Sequence, residues 1–313
     1  MKKKKRGLIT IIYILIIVLI YVYREPITSF TIENIIYSRN ITEYTTNNYT
    51  RKYSFKYVQT TDNFVAKTAK DILNIVYTVM DGGINEFTFY CDKEYLKCQE
   101  DIESISNNTD YLTLLNNFIN PFNSYKKLYV VTNSMGKITL SFDRLYTDDD
   151  INLINAYIND FEKNNITEEM PTVNKIKAFH DYVINNTKYD SIKANEMKKN
   201  IYSENINESH KATGIVKNNL ALCSGYTDLM AIYLDRLQIK NYKVSNDTHI
   251  WNAIYLDGNW YHLDLTWDDP VTNTGRDLLI YEFFIIDTDK LISKDTIEHT
   301  YNSYIYKEIA TKD

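Results

Sequence analysis

A cysteine in the C-terminal half of the chain stands where a helix begins. Apolar residues follow Cys223 at helical spacing, at Leu229, Ile232, Tyr233 and Leu237. The sequence therefore predicts a helix that starts near Cys223. Free backbone N–H groups and the positive end of a helix stabilise a thiolate and can donate to an oxyanion. A lone cysteine is more often a small buried side chain, so its partners decide the interpretation.

Two strand-like segments flank Asp257-Gly258, which is a strong signal for a two-residue hairpin loop. In that register His249 and Asp264 are diagonal neighbours on one face, roughly 7–8 Å apart at Cα. The carboxylate can then orient the imidazole. A three-residue loop would place the two side chains on opposite faces, so this prediction depends on the register.

The sequence predicts three catalytic residues: Cys223 as nucleophile, His249 as general base or ion-pair partner, and Asp264 as the group that orients the histidine. His262 shares the face with Asp264 and is the rival histidine, but its place on the same strand suits a structural role. The three predicted residues lack the close ligand spacing of zinc sites. We therefore expect no metal ion and no cofactor.

Three segments resemble the signature blocks of the transglutaminase-like superfamily: ALCSGY at 221–226, HIWN at 249–252 and WYHLDLTWDDP at 260–270. The resemblance covers about residues 172–270. It implies an α+β fold with a papain-like core, the same three catalytic roles, and a bacterial protein that is anchored or secreted. Calcium dependence is not implied for this chain, because Asp148-Asp149-Asp150 lacks the alternating ligand pattern of a calcium loop.

The reaction expected of such a site is acyl transfer. A thiolate that attacks a protein amide forms a thioester, and the acceptor then decides the product. A lysine amine gives a glutamine–lysine crosslink, and water gives deamidation. Two alternatives stay open: a cysteine protease of the same fold, and a catalytically silent binding module at the cell surface.

Composition and charge narrow the class of protein. The 313 residues include 44% hydrophobic and 24% charged residues with 8 Gly and 4 Pro, which excludes collagen-like and disordered chains. The formal charge is −6, to which residues 2–6 contribute +5, so the remainder carries −11. Such a surface is a poor match for nucleic acid. We expect a protein or peptide substrate.

The N-terminus has the pattern of a membrane anchor. Residues 1–6 contain five basic side chains, and residues 7–23 contain no charged side chain. No small-x-small cleavage site follows them, which favours an uncleaved anchor over a secretion signal. The basic end predicts a cytoplasmic tail, a single transmembrane helix and a chain that lies mostly outside the cytoplasm at the cell membrane.

Three cysteines in an exported chain allow one disulfide. Cys91 and Cys98 are the close pair, and either a disulfide or two reduced thiols fits their spacing. Cys223 is then the unpaired thiol.

The rest of the chain divides by pattern. Residues 24–50 are predicted as a stalk, and residues 51–165 as a small α+β accessory domain that acts as a spacer or presents substrate. Residues 166–285 are predicted as the catalytic domain and 286–313 as a C-terminal extension. A helix is expected after Pro171, and residues 189–213 are expected to form a long surface loop.

Overall fold

A computed structural model describes most of the chain. The described residues are 2–31, 41–107, 109–133, 136–199, 206–271 and 278–310. Helices and sheets are mixed along this chain, so the fold class is α+β.

The helices mostly begin where capping residues and apolar periodicity place them. Their bounds are α1 Lys2–Val22, α2 Arg24–Thr31, α3 Ala69–Asp81, α4 Cys98–Asn107, α5 Thr109–Asn116, α6 Asp148–Asn165, α7 Thr172–Asn186, α8 Ser191–Lys198, α9 Ala212–Asn218, α10 Cys223–Arg236, α11 Thr288–Lys294 and α12 Lys307–Ala310. Short 3₁₀ turns occur at Pro121–Asn123 and Glu208–His210. Among the described residues, no helix has both the length and the apolar character of a membrane span. The anchor at residues 7–23 stays a prediction.

The strands in the described part of the chain form three small sheets. Their bounds are β1 Val65–Ala66, β2 Glu86–Cys91, β3 Tyr125–Thr132, β4 Lys137–Arg144, β5 Lys188–Tyr189, β6 Leu220–Ala221, β7 Asn241–Ser245, β8 Ile250–Leu256 and β9 Asn259–Leu263. The first sheet has the order β1-β2-β4-β3, the second pairs β5 with β6 in parallel, and the third has the order β7-β8-β9. The last two sheets carry the candidate site.

The β8–β9 hairpin has the register that a two-residue loop requires. Leu256 pairs with Asn259, and Asn252 pairs with Leu263. Both loop residues have positive φ, 50° at Asp257 and 85° at Gly258, as the favoured hairpin turns demand. This register is the one that puts His249 and Asp264 on the same face.

Two hydrophobic cores lie on opposite faces of this hairpin. One face contributes Trp251 and Ala253 to a core that also contains side chains of α3, β2 and β4. The other contributes Ile254 and Leu263 to a core built largely on α6, α7 and α10. Residues of the predicted accessory region and of the hairpin thus share one core. This core packs against the hairpin face that carries Trp251 and Ala253. The domain boundaries drawn from sequence stay predictions.

Two elements differ from the expectations. The helix α6 was not predicted, although Thr147 caps it, its first turn is acidic, and buried Ile151, Ile154, Ile158 and Phe161 recur at helical spacing. The segment 189–213, expected to be a surface loop, contains α8 and a 3₁₀ turn. Asp190 caps α8 by accepting from Lys193 N, a local signal that the polar composition obscured. Residues 200–205 lie outside the described residues.

Candidate active site

Cys223 is the first residue of α10, and its side chain is partly exposed. The N–H groups of Gly225 and Tyr226 both bond to Leu222 O. The N–H of Cys223 precedes the first intrahelical bond, where helix geometry leaves a donor for an oxyanion. The predicted place of Cys223 at a helix start is thus where the structure puts it.

Glycine is required two residues into this helix. A Cβ atom on Gly225 would lie 2.9 Å from the backbone oxygens of both Ser209 and Lys211. These are contacts with backbone rather than with a flexible side-chain end, so a larger residue would force the helix away. Gly225 therefore lets the start of α10 pack directly on the 3₁₀ segment.

Polar contacts fix the start of α10 against the strand that follows His249. Thr227 Oγ1 donates to Ile250 O at 3.0 Å, and Asn252 Nδ2 donates to Thr227 O at 3.0 Å. Asn252 is buried. Because both bonds cross from helix to strand, they set the distance between the nucleophile and the histidine.

The structure brings His249 and Asp264 together. Nε2 of His249 lies 2.5 Å from Oδ2 of Asp264, and the side chains are 5% and 2% exposed. The other carboxylate oxygen, Oδ1, accepts from the backbone N–H groups of Thr266 and Trp267. The His249 ring stacks on Trp251 at 5.6 Å between centroids. This carboxylate and this imidazole are thus held in a single geometry.

The electrostatics favour a charged histidine beside the thiol. Burial opposes the charge, but Asp264 and then Cys223 outweigh it and raise the pKa of His249 to about 10. Burial acts against ionisation of Asp264 too, yet His249 and hydrogen bonds from His249 and His299 hold the pKa of this carboxyl well below its usual range. Because Asp264 takes Nε2, Nδ1 is the nitrogen left for Cys223.

His299 is a member of the site that the sequence reasoning did not include. Its Nε2 lies 2.9 Å from Asp264 Oδ2, the same oxygen that His249 contacts, and its side chain is fully buried. It belongs to residues 286–313, which were expected to be only an extension. The Asp295-x-x-x-His299 spacing was the available signal, since Asp295 Oδ2 lies 2.7 Å from His299 Nδ1.

The rival histidine has a different role. Nδ1 of His262 accepts from Trp251 Nε1 at 3.0 Å, so its Nε2 is protonated and donates to Thr288 Oγ1. Burial and then the nearby His299 lower the pKa of His262 to about 3. His262 is therefore a neutral residue that holds Trp251 behind the site.

Tyr189 is a further residue of the site region. It ends β5 and pairs with Ala221, two residues before Cys223. Burial and then the negative charges of Cys223 and Glu298 raise its pKa to about 12. The phenol stays protonated at neutral pH and can donate a hydrogen bond. The sequence offered no signal for this, because the pairing with β6 is a tertiary contact.

One group of described residues could geometrically hold a metal ion. The ligand atoms of His249, Asp264 and His299 lie within 4.8 Å of one another. The expectation of no metal was drawn from the spacing of Cys223, His249 and Asp264, without His299. In the structure the Nε2 atoms of His249 and His299 each bond to Asp264 Oδ2, and the chemistry proposed below uses no metal.

Cys91 and Cys98 are joined by a disulfide, with 6.0 Å between their Cα atoms. The bond links the end of β2 to the first residue of α4. Cys223 is the free cysteine.

No family model matches the chain, and no curated protein matches it. Solved structures similar to part of it include a TGase and a candidate cysteine protease. The crystal structure of a TGase aligns over 49% of this chain and 47% of that chain, at 20% identity and a TM-score of 0.34. A candidate cysteine protease from Cytophaga hutchinsonii aligns over 49% and 65%, at 12% identity and a TM-score of 0.27. The chain therefore spans less than two thirds of either structure.

Proposed function

We propose that this protein catalyses thiol-dependent acyl transfer on protein amides through a thioester at Cys223, with crosslinking or deamidation of glutamine as the outcome. One observation carries the proposal: the buried His249 is bonded to Asp264 at 2.5 Å and interacts with Cys223 through its other side. A nucleophile, a base and an orienting carboxylate in this order are the parts that acyl transfer needs.

The geometry supports a two-stage reaction. In the first stage the Cys223 sulfur attacks the amide carbonyl carbon, and the oxyanion accepts a hydrogen bond from the N–H of Cys223. His249 then gives its proton to the departing nitrogen, and the C–N bond breaks. Ammonia departs, and a thioester remains on Cys223. In the second stage neutral His249 takes a proton from an amine or a water. That nucleophile forms the new bond to carbon, and sulfur leaves as the thiolate.

The place of this reaction is proposed from two features. The apolar segment at residues 7–23, which follows a cluster of basic residues, supports a membrane anchor with the rest of the chain outside the cytoplasm. The Cys91–Cys98 disulfide supports an oxidising compartment. Protease added outside intact cells tests this directly, because it should remove the chain beyond residue 23 without cell lysis. Protection of the whole chain would contradict the proposal.

Mass spectrometry of the full chain with a glutamine-bearing protein tests the reaction. The mixture is incubated with and without a primary amine, beside Cys223→Ala. Incorporation of the amine by the wild type and not by the variant supports transglutaminase chemistry, and a gain of about one mass unit supports deamidation. Backbone cleavage would instead support the protease, since the same thioester then forms at a peptide bond. Identical spectra for both proteins across a panel of substrates would contradict catalysis and favour the binding module.

A further inference from the structure

A fully buried histidine from the end of the chain lies behind the carboxylate of the proposed active site. His299 Nε2 lies 2.9 Å from Asp264 Oδ2, and His299 Nδ1 lies 2.7 Å from Asp295 Oδ2. Each ring nitrogen thus lies within hydrogen-bonding distance of a carboxylate oxygen, and an ionised carboxylate can only accept, so the bond to Asp264 is donated by Nε2–H. His299 thereby links two carboxylates that are 31 positions apart in the chain.

The ring of His299 is fixed from several directions. It stacks on Phe283 at 4.8 Å between centroids with 14° between planes, and its edges meet Trp251 at 4.9 Å and Trp267 at 5.0 Å. These are the two tryptophans that also contact the ring of His249. One aromatic enclosure thus holds both imidazoles.

The backbone around His299 is tied to the backbone around His249. Asn246 Nδ2 donates to Glu298 O at 2.6 Å and to Thr300 O at 2.8 Å, on either side of His299. Asn246 Oδ1 accepts from the N–H of His249 at 2.9 Å. A single amide side chain therefore sets the distance between the two histidine segments.

Asp295 fixes His299 from the opposite side. Its Oδ2 accepts from both the backbone N–H of His299 and the ring, and its Oδ1 accepts from Ile297 N. The side chain of Asp295 is 11% exposed, whereas that of Asp264 is 2% exposed. The hydrogen bonds thus run from the slightly exposed Asp295 through His299 to the buried Asp264.

We propose that His299 is a positioning residue of the proposed reaction: its Nε2–H holds Asp264 Oδ2 where that oxygen meets His249, and so keeps His249 directed at Cys223. This inference rests on the proposed function. With Oδ1 fixed by the N–H groups of Thr266 and Trp267, the second imidazole completes the restraint on the carboxylate. His299 acts through Asp264 and does not touch the reacting atoms.

The test is the rate at which iodoacetamide alkylates Cys223 in the full chain at pH 6.5. His299→Phe keeps a ring for the aromatic enclosure and removes both N–H donors, whereas His299→Gln keeps one donor for Asp264. His180→Phe is the matched control, because His180 is an equally buried histidine whose ring nitrogens also face two carboxylates, Asp181 and Asp268, and do not bond to Asp264. Thermal unfolding of each variant shows that it is folded. Should His299→Phe not fold, Asp295→Ala takes its place, since it leaves both imidazoles present.

The expected result is a fall on the order of tenfold to a hundredfold in His299→Phe, as small displacements of catalytic groups produce. His299→Gln and His180→Phe should react close to the wild-type rate. A wild-type rate in folded His299→Phe would overturn the inference, and so would equal losses in His299→Gln and His299→Phe. A slow, ordinary thiol in the wild type itself is a different outcome: it would overturn the proposed function and, with it, the role of His299.

Discussion

His249 and Asp264 form a buried pair in which Nε2 and Oδ2 lie 2.5 Å apart. Burying two charges is costly unless the remaining hydrogen-bonding capacity is satisfied. Here the backbone N–H groups of Thr266 and Trp267 occupy the other oxygen of Asp264. The pair is therefore suited to hold an imidazolium beside Cys223.

Replacing Asp264 by asparagine should abolish most of the activity without unfolding the chain. The amide fits the same space and can still accept from Thr266 N, but it has no charge with which to hold a protonated His249. We expect the amine-incorporation rate to fall on the order of 10³- to 10⁴-fold, as for the corresponding change in a serine protease triad. Initial rates against amine concentration measure this. A loss below about tenfold would contradict the role of Asp264.

The pH dependence of stability should identify the charged histidine. The pKa of His249 is raised from 6.5 to about 10, so between these values the folded state binds more protons than the unfolded state. The stability that this group contributes is full below about pH 6.5 and is lost as the pH rises toward 10. Asp264, whose pKa is lowered, contributes stability that is lost in acid.

The measurement compares the wild type with His249→Gln by thermal unfolding at pH 6, 8 and 10. The difference in unfolding temperature should shrink as the pH rises. A difference that stays constant over this range would mean that His249 gains no proton on folding.

Gly225→Ala should weaken the start of α10. The new Cβ would lie 2.9 Å from two backbone oxygens, and overpacking of this kind costs about 1–3 kcal/mol. Chemical denaturation gives the free energy of unfolding, and alkylation of Cys223 reports the local effect. Ser224→Ala is the control from the same turn. Unfolding of Gly225→Ala and Ser224→Ala at the same denaturant concentration would contradict the energetic cost expected from the close contact at Gly225.

Removing the disulfide should cost stability and leave the thiol chemistry intact. The bond joins residues seven apart, and closing so short a loop stabilises by about 2–3 kcal/mol in the chain-entropy account. The double variant Cys91→Ser/Cys98→Ser should unfold at a lower temperature than the wild type. Its remaining thiol, Cys223, should be alkylated at the wild-type rate when folded. A slower rate would show that the disulfide between β2 and α4 also affects the reactivity of Cys223.

Much of the site could be predicted from local sequence. Asp257-Gly258 specifies the hairpin loop, and the loop specifies the register that relates His249 to Asp264. The apolar period after Cys223 specifies the helix that begins there. These inferences need only short-range rules, and the fold has the helix start and the hairpin that they require.

The remainder depends on contacts between distant parts of the chain. His299 lies 35 residues after Asp264 and reaches it because Asn246 and the aromatic rings hold its segment in place. Tyr189 lies near Cys223 through a two-residue parallel pairing that leaves no period in the sequence. Helix α6 is different, because its start could have been predicted from local sequence. Thr147 is a capping residue, and the first turn is acidic.

The most direct test of the account is the rate of iodoacetamide alkylation of Cys223 at pH 6.5, in the wild type and in His249→Gln. An ordinary thiol, with a pKa near 8.5, is almost entirely protonated at this pH and reacts slowly. The account predicts a wild-type rate well above that of a free cysteine, and a fall toward the free-cysteine rate in His249→Gln. Equal and slow rates in the two proteins would contradict it, because they would mean that Cys223 is not activated by His249.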